Sequence, residues 1–377
     1  MDERIKPVSH LLAVNETPAL RAAYNAVLPE ISAFWTRIPL DHALWERVNE
    51  FAATEEAQQL EDIRRRHLEK TLLEFRRAGA DLTVEEKSRL EAIKIELVRL
   101  ERKFSENVLD ATAAWELQIG DAARLEGVPE SHLARFRSTA AAKGLDGWLL
   151  TLDHPSVEPI LKYAHDRELR REVQHAYVTR CREGEFDNRA LIVQILKLRQ
   201  EMAELLGYAH YADYRLEDHM VKTGDRALAF EEEMQALTRS YWERDVAELR
   251  AHARELGLDE LRPWDASYVQ ESLRRKNYHI DDELLRPHFP LDGVMEGLFE
   301  IVRRVFGFAV EHRPIEEVWH PDVRFYEIRD RAGTFLGAFY TDWFPRKEKQ
   351  QGGWMNDLRT GGPLPDGGFD PHLGVIC

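Results

Sequence analysis

Over the first two-thirds of the chain and beyond, apolar residues recur at three- and four-residue spacing, the period of an amphipathic helix. Thr17 before Pro18 forms an N-cap and N1 pair. The helix it opens carries Leu20, Tyr24, Val27, Ile31 and Phe34 on one side, with Pro29 as an expected kink. Thr83-Val84-Glu85-Glu86 reads as a capping box. Behind it Leu90, Ile93, Leu97, Leu100, Phe104 and Val108 mark the core face of a long helix. Gly120 to Pro129 interrupts the pattern, and a short helix then runs to Lys143-Gly144, with Gly144 as its C′ residue. Further helices are expected from Glu158, from Asp166, from Asn188 to Leu206 ahead of Gly207, from Asp225 to Leu256 ahead of Gly257, and from Leu291 to Val305. In the last of these Leu298, Val302 and Val305 share a side.

The period changes at two places. Trp148 to Leu152 reads as a short strand, closed by Asp153-His154-Pro155, and marks a boundary between two regions, 1–147 and 148–377. After Gly307, Val323–Ile328 and Thr334–Tyr340 are β-like, with the turn residues Asp330-Arg331-Ala332-Gly333 between them, so a hairpin is expected. The stretch from Gly352 is rich in Gly and Pro and reads as loop, except near Trp354 and in a final strand, Leu373–Cys377. The fold class is therefore mainly α, with a small hairpin or sheet near the C-terminus.

Composition narrows the function classes. Hydrophobic residues make up 44% of the 377 and charged residues 32%, the balance of a globular protein. The net charge of −16 speaks against a nucleic-acid partner, which requires excess Lys and Arg, and against adsorption to anionic membranes. No run of ~18 apolar residues suggests a span. Two cysteines, Cys181 and Cys377, give no disulfide framework, and the acidic start Met1-Asp2-Glu3 lacks a secretory apolar region, so a cytoplasmic location is expected.

Fifteen His residues invite metal-site readings. His210 and His219 are too far apart to share a helical face. His279 beside Asp281 and Asp282 is better read as the approach to a helix start, and His312 and His320 flank a Pro-containing loop. Neither Cys has a Cys or His neighbour at zinc-site spacing. Phosphate loops, nucleophile elbows and dinucleotide fingerprints are absent from the sequence.

An ordered succession of short motifs goes further. Val8-Ser9-His10-Leu11 precedes Thr17-Pro18-Ala19-Leu20-Arg21. Asn107-Val108-Leu109-Asp110-Ala111-Thr112 stands ahead of Trp115, and Trp148-Leu149-Leu150-Thr151-Leu152-Asp153 ahead of Pro155-Ser156. Leu206-Gly207-Tyr208 with Tyr211-Ala212, Leu261-Arg262-Pro263-Trp264-Asp265 and Val318-Trp319-His320-Pro321-Asp322-Val323 follow in turn. In order and spacing the chain resembles the thimet oligopeptidase and oligopeptidase A family of zinc metallopeptidases. There are two local departures. Gly352-Gly353-Trp354-Met355 stands where the family commonly has Gly-Ala-Trp-Met, and Asp342-Trp343-Phe344-Pro345-Arg346 where it has Asp-x-Tyr-x-Arg. Pro345 removes a backbone donor, so that segment should be an edge or a loop.

The resemblance implies a helical, two-lobed shell around a channel that admits short peptides. It implies residues 1–147 as the family's N-terminal helical domain and 148–377 as part of its catalytic domain. In the family, the two His of His-Glu-x-x-His and a downstream Glu hold zinc, and the Glu of that motif activates water. None of the His residues here is followed by Glu. The resemblance thus implies an internal fragment ending before the zinc helix, with zinc the cofactor of the complete family member and none bound by this chain. The isolated chain is expected to be inactive, with a missing C-terminal catalytic half as a possible partner and short peptides as substrates. It should also be unstable or associate, through bare apolar surface and an unpaired final strand. The segment Gly352, Gly353, Trp354 and Met355 is implied as a substrate-binding edge strand, against a plainer reading as a Gly-rich connector. A non-catalytic peptide-binding or scaffold protein is the rival from another class.

Overall fold

A computed structural model describes residues 2–377, with side chains from residue 4. Six helices open the chain: α1 (Asp2–Val14), α2 (Pro18–Arg37), α3 (His42–Ala52), α4 (Glu55–Gln58), α5 (Asp62–Ala78) and α6 (Val84–Ala114). Strand β1 (Glu116–Ile119), helix α7 (Glu130–Ala141) and strand β2 (Trp148–Thr151) follow. Next come α8 (His154–Tyr163), α9 (Arg167–Val178), α10 (Arg189–Leu205), α11 (Tyr211–Leu216), α12 (Gly224–Glu255), α13 (Ala266–Tyr278), α14 (Asp282–Leu285) and α15 (Leu291–Phe306). The strands β3 (Ala309–Arg313), β4 (Arg324–Arg329), β5 (Phe335–Thr341), β6 (Met355–Arg359), β7 (Gly362–Pro363), β8 (Phe369–Asp370) and β9 (His372–Ile376) close it. The protein is thus mainly helical, with its larger sheet near the C-terminus. Among the described residues no helix is long and apolar enough to cross a membrane.

Local signals explain most of these boundaries. The Thr17 hydroxyl accepts the Leu20 amide, and α2 runs through Pro29 to Arg37. The Thr83 capping box is closed both ways: the Glu86 carboxylate accepts the Thr83 amide at 2.9 Å, and the Thr83 hydroxyl accepts the Glu86 amide at 3.3 Å. The Asp166 carboxylate takes the amides of Glu168 and Leu169 at the start of α9. Asp281 takes the Glu283 amide, as a helix start requires.

The chain groups into two compact units that interleave along the sequence. One contains Met1–Tyr24, Thr112–Val178 and His252–Cys377; the other contains Asn25–Ala111 and Thr179–Ala251. Helices α2, α6 and α12 each contribute residues to both. In the first unit β1 pairs antiparallel with β2, and Ile119, Phe136, Leu150, Ile160 and Leu169 form a core. The second unit packs Leu90, Ile93, Leu97 and Leu100 of α6 against Ile195 and Met202 of α10. Phe104 and Val108, on the same face, are only half-buried.

The C-terminal sheet has the order β3-β4-β5-β9-β6. The expected hairpin is β4–β5, antiparallel, around the Asp330–Gly333 turn. The final strand departs from expectation. It is not unpaired: β9 lies between β5, to which it runs parallel, and β6, to which it runs antiparallel. A sequence pattern shows that a run is strand-like but not which strands will flank it, and here both neighbours come from earlier in the chain.

Candidate functional site: the β6 edge and its anchor

The four residues singled out from the sequence lie at the entry to β6, which is an edge strand of this sheet. Gly352 turns the chain with φ +107°, a conformation open to glycine. Trp354 and Cys377 then exchange both backbone hydrogen bonds, at 2.9 and 2.8 Å. In an antiparallel ladder such a pair alternates with residues whose amide and carbonyl point the other way. The backbone groups of Gly353 and Met355 are therefore directed away from β9, toward the edge. A Cβ at Gly353 would stand 3.6 Å from the Cys377 carbonyl, ordinary contact, so the alanine common in the resembling family fits here. The Met355 side chain is 71% exposed. The Trp354 ring is half-buried, with the Lys349 ammonium 5.7 Å from its centroid. Helix α1 packs against β6 and joins it through the Lys6–Asp357 ion pair at 2.5 Å.

What fixes this entry is a buried ionic hub two turns of chain earlier. Asp342, fully buried, follows β5 and donates its amide to the Ile376 carbonyl. Its carboxylate accepts from both Arg346 Nη1 and Nη2 at 2.8 and 2.6 Å, from Lys349 Nζ at 2.9 Å and from Trp319 Nε1 at 2.8 Å. Burial alone would raise the Asp342 carboxyl, but the hydrogen bonds from Arg346, Trp319 and Lys349 outweigh it and hold the pKa down to about 2. Lys349 is itself buried and also donates to the carbonyls of Asp342 and Phe344. Arg346 reaches the Val14 carbonyl at the end of α1. The segment around Pro345 is loop, as the missing donor predicts.

His10 of α1 stacks edge-on against Trp319, with ring centroids 4.7 Å apart. Both of its ring nitrogens are buried and have no hydrogen-bond partner among the described residues. Burial lowers its pKa to about 4, with Asp342 pulling it up and Lys349 pushing it down, so the ring is neutral at pH 7. Three further bonds tie down the approach to Gly352. The Gln350 amide donates to the Ala13 carbonyl at 2.7 Å, and Gln351 Nε2 donates to the Leu152 carbonyl and to Asp153.

Four motifs separated in sequence thus converge here: the segment holding His10, the Trp148–Asp153 run, the Trp319 motif and the Asp342–Arg346 motif. Sequence reading missed the parts played by His10, Lys349 and Gln351. Lys349 follows Lys347 and Glu348 and reads as a solvated charge run, and only a buried acid at i−7 distinguishes it.

The remaining motifs build scaffold. Asp265, fully buried, is clasped by Arg167 and by the buried Arg170 at 2.7 and 2.8 Å. Asn107 donates to Asn188 at 2.8 Å, and Asn188 donates to the Phe104 carbonyl. The Tyr208 hydroxyl donates to Glu217 at 2.6 Å.

The His positions do not assemble. His312 lies on β3 beside the Tyr326 ring, His320 accepts the Asp322 amide, and His279 caps α13 in the left-handed region. Among the described residues no three His, Cys, Asp or Glu side chains converge as a metal site would require. The residues present therefore do not fit a zinc ion.

Residues 160–377 match the family model described as Peptidase family M3, and residues 4–87 match the Neurolysin/Thimet oligopeptidase N-terminal domain. The chain is 38% identical over 357 residues to Oligopeptidase A of Escherichia coli K12, covering 93% of this chain and 52% of that protein. It is 37% identical over 366 residues to the Probable cytosolic oligopeptidase A of Arabidopsis thaliana, with the same coverages. To the Dipeptidyl carboxypeptidase of Escherichia coli K12 it is 32% identical over 348 residues, covering 91% and 51%. The chain spans about half the length of the curated relatives it matches.

Proposed function

The chain belongs to peptidase family M3, and from that premise we propose that it forms the peptide-receiving part of a cytoplasmic zinc oligopeptidase that hydrolyses internal bonds of short peptides. The observation that carries this reading is the β6 entry, where Gly353 and Met355 turn their backbone groups to the sheet edge. An extended peptide adds to such an edge through main-chain hydrogen bonds, which do not depend on its side chains. That suits an enzyme acting on many sequences. Gly353 leaves room for close approach, the Asp342 hub fixes the register, and Met355 offers an apolar contact.

Zinc, when bound, would supply an activated water as nucleophile. No set of His, Cys, Asp and Glu side chains among the described residues converges to hold it, so turnover is expected only when zinc donors are supplied to the chain. Residues 1–147 serve as the N-terminal helical domain and 148–377 as part of the catalytic domain.

The test supplies the other half of an oligopeptidase A by fusion or co-expression, confirms one zinc per complex, and assays short fluorogenic peptides. Turnover should appear, and Gly353→Pro should abolish it with zinc retained, because proline removes an edge-facing donor. Unchanged turnover in Gly353→Pro would leave the segment a connector. Peptide binding without hydrolysis by the zinc-loaded complex would favour a binding protein.

A further inference from the structure

A different part of the molecule carries an inference independent of the peptidase reading. In the second unit, α3 and α5 and the turn after α4 enclose a groove of about 550 Å³. Its walls are apolar: Val48 and Phe51 from α3, Leu60 from the turn, and Ile63 and Leu68 from α5. Volume and lining fall in the range of small-molecule sites. Arg65 donates to the carbonyls of Leu60 and Gln58 at 2.8 and 3.2 Å and pins the turn that carries Leu60.

Basic side chains line the rim in a chain of net charge −16. Arg47, Arg64 and His67 line it. Arg47 is paired with Glu50. Arg64 and His67 make no side-chain hydrogen bond or ion pair among the described residues. Glu61 and Asp62 line an adjoining hollow that shares Leu60, Ile63 and Arg64 with this groove. Asp62 adopts φ +44°, a left-handed conformation uncommon outside glycine, and the next residue, Ile63, is 83% exposed over the groove. Backbone strain of this kind clusters at functional sites, ligand clamps among them.

We propose that this groove binds an alkyl carboxylate. Its chain lies along Val48, Phe51, Leu60, Ile63 and Leu68, and its head meets the Arg64 guanidinium and the His67 ring. The guanidinium fork matches a carboxylate in geometry as well as charge. A cationic amphiphile of equal length meets the same walls but the wrong rim, so head charge, not chain length, decides occupancy.

The experiment titrates the full chain, methyl-labelled at Ile, Leu and Val, with octanoate and separately with octyltrimethylammonium, both below micelle formation. Octanoate should shift the Ile63, Leu60, Leu68 and Val48 methyls and leave those of α15 in place. Half-saturation should come at millimolar concentration or below, as a ligand of about ten non-hydrogen atoms allows. In Arg64→Glu/His67→Glu, both surface changes, binding should weaken at least fivefold, while octyltrimethylammonium gains. Equal response to the two amphiphiles, or no loss in the double variant, overturns the proposal. So does the absence of methyl shifts at 10-fold excess over the expected range (about 10 mM). Methyl broadening that depends on protein concentration and resists octanoate would make the groove a contact between copies instead, and would equally overturn it.

Discussion

Two regions of the first unit invert the usual rule of burial. Around Asp342, charges are inside: Asp342 and Lys349 are buried and Arg346 nearly so. On α15, apolar side chains are outside: Leu298, Ile301, Val305 and Phe306 are exposed, Val305 by 65%. The residues of α15 have the better hydrophobic pattern, yet only Met295 on that helix is buried. What separates the regions is partners. Each oxygen of Asp342 meets more than one donor, so desolvation is compensated. The α15 face meets little of the described protein. Much of α12 is alike, with Leu237, Tyr241 and Trp242 exposed.

The largest effect is expected where the hub is broken. Asp342→Ala leaves Lys349 and Arg346 without their anion, and losing one partner of a buried pair costs about 3–5 kcal/mol. Urea unfolding should show that loss, and hydrogen exchange should show it first in residues 342–359. A cost under about 0.5 kcal/mol, the size of an ordinary surface change, would mean that the hub does not organise the strand entry.

The second contrast is between helices. Leu90 and Ile93 of α6 are fully buried, and Ile93→Ala should cost about 2–5 kcal/mol. Leu298→Glu with Val305→Asp on α15 should change stability by no more than about 0.5 kcal/mol per site. It should also reduce self-association, as removal of an exposed apolar patch does. If the α15 pair unfolds the chain, its face is covered, and the contrast with α6 falls.

Both helices were legible as helices, because three- and four-residue periodicity is local, as is the Thr83 capping box of α6. So was the β4–β5 hairpin, whose turn lies between its strands. The central place of β9 was not legible, since its parallel neighbour β5 and antiparallel neighbour β6 are set by distant pairings. Nor was the hub. Trp319, Asp342 and Arg346 stood in visible motifs, but their convergence with His10 requires α1 to return to the sheet from more than three hundred residues away. The Gly352–Met355 segment was placed at an edge by family resemblance. That its backbone at Gly353 and Met355 faces outward came only from the Trp354–Cys377 bonds.

Acid should dissect the hub in two stages. His10 has a folded pKa lowered to about 4 against 6.5 unfolded, so below pH 6.5 the unfolded chain binds the extra proton. Its contribution is present above pH 6.5 and is lost as pH falls toward 4, at most about 3 kcal/mol. Asp342, at about 2 against 3.8, contributes above pH 3.8 and loses about 2 kcal/mol as pH falls toward 2. Subtracting variant from parent curves isolates each stage, because other carboxylates titrate in both. His10→Phe should flatten the upper window only, and Asp342→Ala the lower. A His10→Phe curve parallel to the parent between pH 6.5 and 4 would place that imidazole in contact with water.

The smallest effect separates two adjacent glycines. Gly353 lacks the left-handed φ of its neighbour, and an added Cβ meets only the Cys377 carbonyl at 3.6 Å. Gly353→Ala should therefore stabilise the chain by about 0.4–1 kcal/mol, by restricting the unfolded state. Gly352, with φ +107°, has open space around its Cα but a backbone that L-residues rarely adopt. Gly352→Ala should destabilise by about 1 kcal/mol or more for that reason alone. Thermal unfolding of the two variants side by side reads the sign directly. Opposite signs make Gly352 the turn that sets the strand and Gly353 a position chosen for what approaches it from the edge. Equal signs would mean that the strand begins elsewhere, and the outward register of Gly353 and Met355 would fall with it.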